Sequence, residues 1–241
     1  MRQLIHGRNA VLEAARAGRV VRVYQAEGLG HDPRLDELAK LARIEVVTAR
    51  RLDQMAPGVN QGVAAELKPR REWTLRQLLD GAPSLLVALD SILDPQNLGA
   101  ILRSVEVAGA DGAIVTEHRS APISAVAVKA SSGAAELLPI ARISGLPSAI
   151  SEIRRAGIWC VALDPRGEMA AWDFDFTQRV CVVVGSEGTG VQRLVKERCD
   201  ARVKLPVMGK VQSFNASAAA AALLYEVMRQ RTAPNMRKPD A

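Results

Sequence analysis

From Ser84 onward, short runs rich in valine and isoleucine alternate with stretches of helical spacing, and few architectures satisfy that order. The runs are SLLVALD, GAIVT, PIARIS, IWCVALD, RVCVVVG and RVKLP. Between them lie NLGAILRSVEVAG, SAVAVKASSGAA, LPSAISEIRRAG and VQRLVKERC, and FNASAAAAALLYEVMRQR follows the last. Runs of this kind suit strands covered on both faces, so the pattern predicts an α/β fold, a mostly parallel sheet with helices on both sides. Ligands of such sheets gather beyond the carboxyl ends of the strands, which directs attention to the loops leaving LLVALD, VVVG and RVKLP.

Ahead of Ser84 the order changes. Residues 4–67 read as a small α/β unit: a helix GRNAVLEAARA, a strand VVRVYQA, a helix DPRLDELAKLAR opened by Asp32 and Pro33, then strand-like EVVTA and QGVAAEL. The charged stretch KPRREWTLRQLLDGAP, bracketed by Pro69 and Pro83, reads as a linker with a short helical piece. The expected organisation is an N-terminal domain over 1–68, a linker over 69–83 and a larger domain over 84–241.

The first loop, LDSILDPQNLGAILRS, carries Asn97 and Arg103, polar planar groups that are costly to bury without partners. They are either site residues or, respectively, a helix cap and a solvated surface residue. The second, VVVGSEGTGVQRLV, places glycines 185, 188 and 190 between a buried strand and a helix, where backbone can approach a ligand closely. Its spacing is not the dinucleotide fingerprint, no Lys-Ser or Lys-Thr pair follows, and Glu187 in mid-loop disfavours an anionic phosphate. A glycine-rich turn with an acidic residue at a helix start is the plain alternative. In the third, KLPVMGKVQSFNASAAAAALLYE, Ser213, Asn215 and Ser217 lead into a helix of small residues, as site residues or as a cap.

In this order and strand context, the three stretches closely resemble the signature motifs of the SpoU (TrmH) branch of the SPOUT methyltransferases, over residues 84–231. That family transfers a methyl group from S-adenosylmethionine to a ribose 2′-hydroxyl of RNA. IHGRNAVLEA and NQGVAAEL extend the resemblance to the substrate-binding domain of the RlmB-type ribosomal RNA guanosine-2′-O-methyltransferases. The resemblance implies catalytic roles for Asn97, Arg103, Glu187, Ser213 and Asn215, with Gly185, Leu205 and Phe214 at the cofactor. Phe214 stands where the family has Leu, and Ala216 where it has Val; both remain apolar. A trefoil knot that forms the cofactor site and a homodimer are further implications, and nothing in the residue spacing points to the knot.

Charge agrees with an RNA partner. Lys plus Arg is 32 against 26 acidic residues, a net +6, with excess in KPRREWTLR (68–76) and MRQRTAPNMRKP (228–239). Aromatic content of 3% disfavours binding by successive base stacking, so phosphates, shape and polar contacts are expected to hold the RNA. The three cysteines are odd in number and widely spaced, and His6, His31 and His118 are scattered. Neither set suggests a metal site, and a reduced cytoplasm is the expected compartment. No continuous apolar core marks a secretory signal and no run has bilayer-spanning length.

A nicotinamide-dependent or phosphate-hydrolysing enzyme would share the alternation but needs a phosphate motif that is missing. A non-catalytic RNA-binding protein would share the charge but leaves the joint occurrence of Asn97, Arg103, Glu187 and Asn215 at strand ends unexplained. Within the family the alternative is a transfer RNA 2′-O-methyltransferase.

Overall fold

The structure, a computed structural model, describes residues 3–69, 71–211 and 213–236. Arg70 of the first basic cluster and the end of the basic tail lie outside the described residues. The N-terminal unit contains β1 (Gln3–His6), α1 (Arg8–Arg16), β2 (Val20–Ala26), α2 (Pro33–Leu41), β3 (Ile44–Val47), α3 (Ala49–Met55) and β4 (Val63–Leu67). Its sheet has the order β1-β4-β2-β3, with β4 antiparallel to both neighbours and β2 parallel to β3. Asp32 caps α2 by accepting from Arg34 N at 2.9 Å. The run read as EVVTA ends as a strand at Val47, because the Thr48 hydroxyl accepts from Arg51 N at 3.3 Å and opens α3. Both α3 and β1 are too short to show a period in the sequence.

In the stretch read as linker, a capping box between Thr74 and Gln77 starts α4 (Leu75–Asp80). Leu75 and Leu78 are buried against Leu86, Ala141 and Ile150, and Trp73 forms a parallel bridge to Ala141, so this helical piece belongs to the packing of the second sheet.

That sheet begins with β5 (Leu85–Asp90), followed by α5 (Pro95–Val107), β6 (Gly112–Thr116), α6 (Ala125–Ala130), α7 (Ala134–Leu137), β7 (Ile140–Ile143) and α8 (Leu146–Arg155). It continues through β8 (Trp159–Leu163), β9 (Met169–Ala170), β10 (Val180–Gly185), α9 (Arg193–Arg198), β11 (Ala201–Lys204) and α10 (Ala216–Met236). The order is β7-β6-β5-β10-β8-β11-β9, and the ladders among the described residues are parallel. β5 and β10 are buried at every position, which is why LLVALD and VCVVVG are apolar without alternation. The chain leaves β5 towards β6 on one side and leaves β10 towards β11 on the other, so a crevice opens between their carboxyl ends.

On one face α5 and α10 share a core, with Leu98, Ile101 and Leu102 beside Ala220, Leu223 and Val227; α8 and α9 cover the other with Ile150, Ile153 and Val195. A Cβ on Gly99 would stand 2.4 Å from Ala127 O, so glycine there lets α6 lie directly on α5. The two units touch through α1 and α7. A buried ion pair joins Arg19 to Glu136 across this junction, and Lys129 Nζ donates to Val59 O at 2.6 Å. No helix among the described residues is long and apolar enough to cross a membrane.

Candidate active site at the β5–β10 crevice

The helix after β5 is capped by Asp94, not by Asn97. The Asp94 carboxylate accepts from Gln96 N and Asn97 N, each at 3.1 Å, and Pro95 needs no partner in the first turn. The Asn97 side chain is left free for another role. Its Nδ2 donates to Glu187 Oε2 at 3.4 Å, and its Oδ1 accepts from Asn215 Nδ2 at 3.1 Å. Asn215 Nδ2 also donates to Glu187 Oε2 at 3.1 Å, closing a three-residue cluster drawn from the first turn of α5, the glycine loop and the segment before α10.

Asn215 does two things at once. Its Oδ1 caps α10, accepting from Ser217 N at 2.9 Å, Ser217 Oγ at 2.6 Å and Ala218 N at 3.4 Å. Capping therefore fixes which end of the amide faces the other two loops. The sequence reading had offered capping and site function as alternatives for this stretch; in the fold one residue serves both.

The glycine loop is held from two sides. A Cβ on Gly185 would fall 2.0 Å from the Gly190 carbonyl carbon, so only glycine permits this crossing of backbone. Ser186 and Gly190 form an antiparallel bridge, and Gly188 and Gly190 have φ of 88° and 66°. Beyond the loop, the buried Asp90 carboxylate accepts from Gln192 N at 2.7 Å and Gln192 Nε2 at 2.8 Å, pinning the β10–α9 connection to the end of β5. The sequence reading missed Asp90 and Gln192. Each looks like an ordinary strand end or helix start, and only the strand order brings them together.

The remaining sequence-derived residues are placed differently. Arg103 is exposed and has no hydrogen-bond or ion-pair partner among the described residues. Arg103 donates no bond to Glu187, whose carboxylate accepts from the two amides instead. Helical geometry explains this, since six residues advance about 9 Å along α5 and carry the side chain well around from the Asn97 face. Ser213 is exposed and makes no bond to the cluster. Leu205 is half-buried against the main core, and Phe214 is 49% exposed. Because β8 lies between β10 and β11, the loop that follows it from Asp164 stands between the glycine loop and Leu205, a third wall absent from the sequence reading.

Thiol chemistry has no place here. Burial pushes the Cys199 thiol up to about 12, and the neighbouring Cys181 together with burial raises Cys160. Among the described residues no group of three His, Cys, Asp or Glu side chains is placed to hold a metal ion. What the crevice offers is a carboxylate held by two amides, open glycine backbone and an unpaired guanidinium on the same helix as Asn97.

Comparison with known proteins bears on what such a crevice does. The profile of the SpoU rRNA Methylase family matches residues 84–225, and that of the RNA 2′-O ribose methyltransferase substrate-binding domain matches residues 4–73. A tRNA/rRNA methyltransferase described as uncharacterized, from Mycolicibacterium vanbaalenii, is 42% identical over 95% of this chain and 77% of its own. The 23S rRNA (guanosine-2′-O-)-methyltransferase RlmB of Pseudomonas aeruginosa is 39% identical over 89% of this chain and 90% of its own. Among solved structures, the SpoU methyltransferase AviRb from Streptomyces viridochromogenes superimposes with a TM-score of 0.80 at 27% identity, covering 97% of this chain and 91% of that one. Its complex with AdoMet gives 0.76 at 29% identity, over 95% and 89%.

Proposed function

This chain belongs to the SpoU rRNA methylase family, and from that membership we propose that it transfers a methyl group from S-adenosylmethionine to the ribose 2′-hydroxyl of a guanosine in 23S ribosomal RNA. The observation that carries the reading is the Asn97–Glu187–Asn215 cluster, which joins three stretches 28 to 118 residues apart in the sequence at the mouth of one crevice.

The residues present fit the cofactor. Nothing lies within 4 Å of where a Cβ would stand on Gly188, Gly190 or Gly209, so backbone is open on both loops beyond β10 and β11. Gly185, Leu205 and Phe214 would hold it, with the loop after β8 as the intervening wall. When bound, S-adenosylmethionine supplies an electrophilic methyl on a sulfonium. The chain's own task is alignment: the ribose oxygen must approach in line, and good alignment alone accounts for several kcal/mol of barrier. Glu187 is fixed by the Asn97 and Asn215 amides and orients the polar groups of the substrate. Arg103, which has no partner among the described residues, grips the neighbouring phosphate and stabilises the alkoxide charge that develops. Ser213 acts at the rim as a further polar contact.

In the same reading, residues 1–68 form the RNA-binding domain, 69–83 the connection and 84–241 the catalytic domain, and the catalytic domain carries the family's trefoil knot. A homodimer is part of the proposal, supported by large apolar side chains left in solvent beside the site: Met208, Val211 and Phe214 before α10 and Tyr225 on it. The match of the N-terminal unit to a substrate-binding domain and the likeness to RlmB favour ribosomal over transfer RNA. A soluble enzyme of the cytoplasm follows from that substrate.

Calorimetry tests the cofactor. S-adenosylmethionine is expected to bind and NADH is not; tight NADH binding without S-adenosylmethionine binding would remove the methyltransferase reading.

A further inference from the structure

A second cavity, of about 210 Å³, lies over the carboxyl ends of β5, β6 and β7, on the other side of the Asp90–Gln192 clamp from the cofactor loops. Nothing in the methyl-transfer chemistry above uses it. Its volume is below the roughly 300–1,000 Å³ of sites for drug-sized ligands and matches a single planar group. Leu146, Pro147 and Val195 give it an apolar lining, and Arg119 and His118 stand at its exposed rim without ion-pair partners among the described residues.

The lining is constructed rather than accidental. Asp90 is 1% exposed, and its carboxylate is filled by donors from Gln192 and Ser91. Gln192 Nε2 donates to both Asp90 Oδ1 at 2.8 Å and Ser91 Oγ at 3.0 Å. The amide nitrogen is thereby engaged, which leaves the side-chain carbonyl as the free end of this lining residue. Ser91 and Arg119, both lining the cavity, have φ of 60° and 57°, a left-handed backbone that non-glycine residues adopt at an energetic cost and that concentrates at functional sites. The cavity also shares its wall with the active crevice: Asp90 precedes the loop of Asn97, and Gln192 follows the turn of Glu187, closed by the Ser186–Gly190 bridge.

We propose that this cavity receives the base of the nucleotide being methylated, with Gln192 reading its edge and Arg119 holding an adjoining phosphate. This rests on the reading of the chain as an RNA ribose methyltransferase. A ribose in the crevice has its base one bond away, and a slot lined by both apolar and polar groups beside the crevice shelters a base turned out of its stack. A fixed acceptor selects an edge that donates, and the guanine edge presents two adjacent donors, N1–H and the 2-amino group. The guanidinium at the rim meets the anionic backbone that the base brings with it.

Gly145 provides the test. It lines the cavity with an extended backbone at φ −162°, and no atom lies within 4 Å of where its Cβ would be, so Gly145→Phe adds bulk at the cavity wall with no clash at its Cβ. With a 23S rRNA transcript and S-adenosylmethionine, Gly145→Phe is expected to keep wild-type unfolding temperature and S-adenosylmethionine affinity while methyl transfer falls at least 100-fold. At the position that the wild type methylates, a ligated transcript with inosine, which lacks the 2-amino group, should react at least tenfold more slowly than guanosine. Gln192→Ala should abolish that discrimination, and this comparison decides alone if Gly145→Phe folds poorly. An active wild type that treats guanosine and inosine alike, or a folded Gly145→Phe with wild-type transfer, overturns the base-pocket assignment and leaves the methyltransferase reading standing. A wild type that transfers no methyl to RNA overturns both.

Discussion

Arg103 and Asn215 separate chemistry from stability at the scale of single residues. The exposed, unpaired side chain of Arg103 contributes nothing visible to packing, so Arg103→Ala should keep the unfolding midpoint and S-adenosylmethionine affinity. Methyl transfer should fall by about 10²–10³-fold, the cost of losing one preorganised group at developing negative charge. Wild-type turnover in this variant would make Arg103 a solvated surface residue. Asn215 is expected to behave oppositely, because its Oδ1 caps α10 while its Nδ2 binds Glu187 and Asn97. Asn215→Ser keeps a good cap and Asn215→Ala does not, so the two should differ by about 1 kcal/mol in urea unfolding. Their loss of methyl transfer should be equal, since neither side chain reaches Glu187; unequal losses would show that helix order, not the cluster, limits catalysis. The residue types of this cluster were legible in the sequence, but their bonding was not. Asp94 and Asn97 compete for the capping role on local grounds, and contact with Glu187 depends on a fold that brings residues 90 positions apart to the same place.

The apolar runs LLVALD, GAIVT and VCVVVG were legible as strands because burial on both faces leaves no polar alternation to confuse the reading. Short elements were not: β1 and α3 owe their form to tertiary pairing and to the Thr48 cap. The sheet order was equally hidden, and with it the loop that follows β8. Between elements, the buried Arg19–Glu136 pair ties the residue before β2 to α7 across the contact between the two units. Removing one partner of such a pair costs roughly 3–5 kcal/mol, whereas replacing both with apolar residues is often neutral. Arg19→Ala should therefore lower the free energy of urea unfolding by that order, and Arg19→Met with Glu136→Met should recover most of it. A single variant as stable as the wild type would mean that this ion pair contributes nothing to the junction. A fragment starting at Pro69 keeps α4, whose Leu75 and Leu78 pack under the second sheet. It should retain S-adenosylmethionine binding and lose RNA affinity; failure to bind the cofactor would show that the proposed catalytic domain depends on residues 1–68.

For the molecule as a whole, net charge of +6 and few aromatic residues predict that phosphate contact is the main source of RNA affinity. Arg76 lies in the basic stretch between the units, and Arg71 stacks over Trp73 at 4.1 Å. Reversing both charges should weaken binding of many RNAs alike and reduce the slope of log K against log salt by about 1 per lost phosphate contact. A nearly salt-independent wild-type affinity would point to a dry, shape-matched surface. Composition and motif order carried this level of description from the sequence, while the clamp from Asp90 to Gln192 and the cavity beside it depend on strand order and were not legible. The central claim, methyl transfer to a ribose at the β5–β10 crevice, is tested most directly with methyl-labelled S-adenosylmethionine and unmodified 23S rRNA and tRNA transcripts, followed by nucleoside mapping. The account predicts label on the 2′-oxygen of a guanosine in the ribosomal transcript, absent with Asn97→Ala; label on a base, on tRNA alone, or nowhere would contradict it.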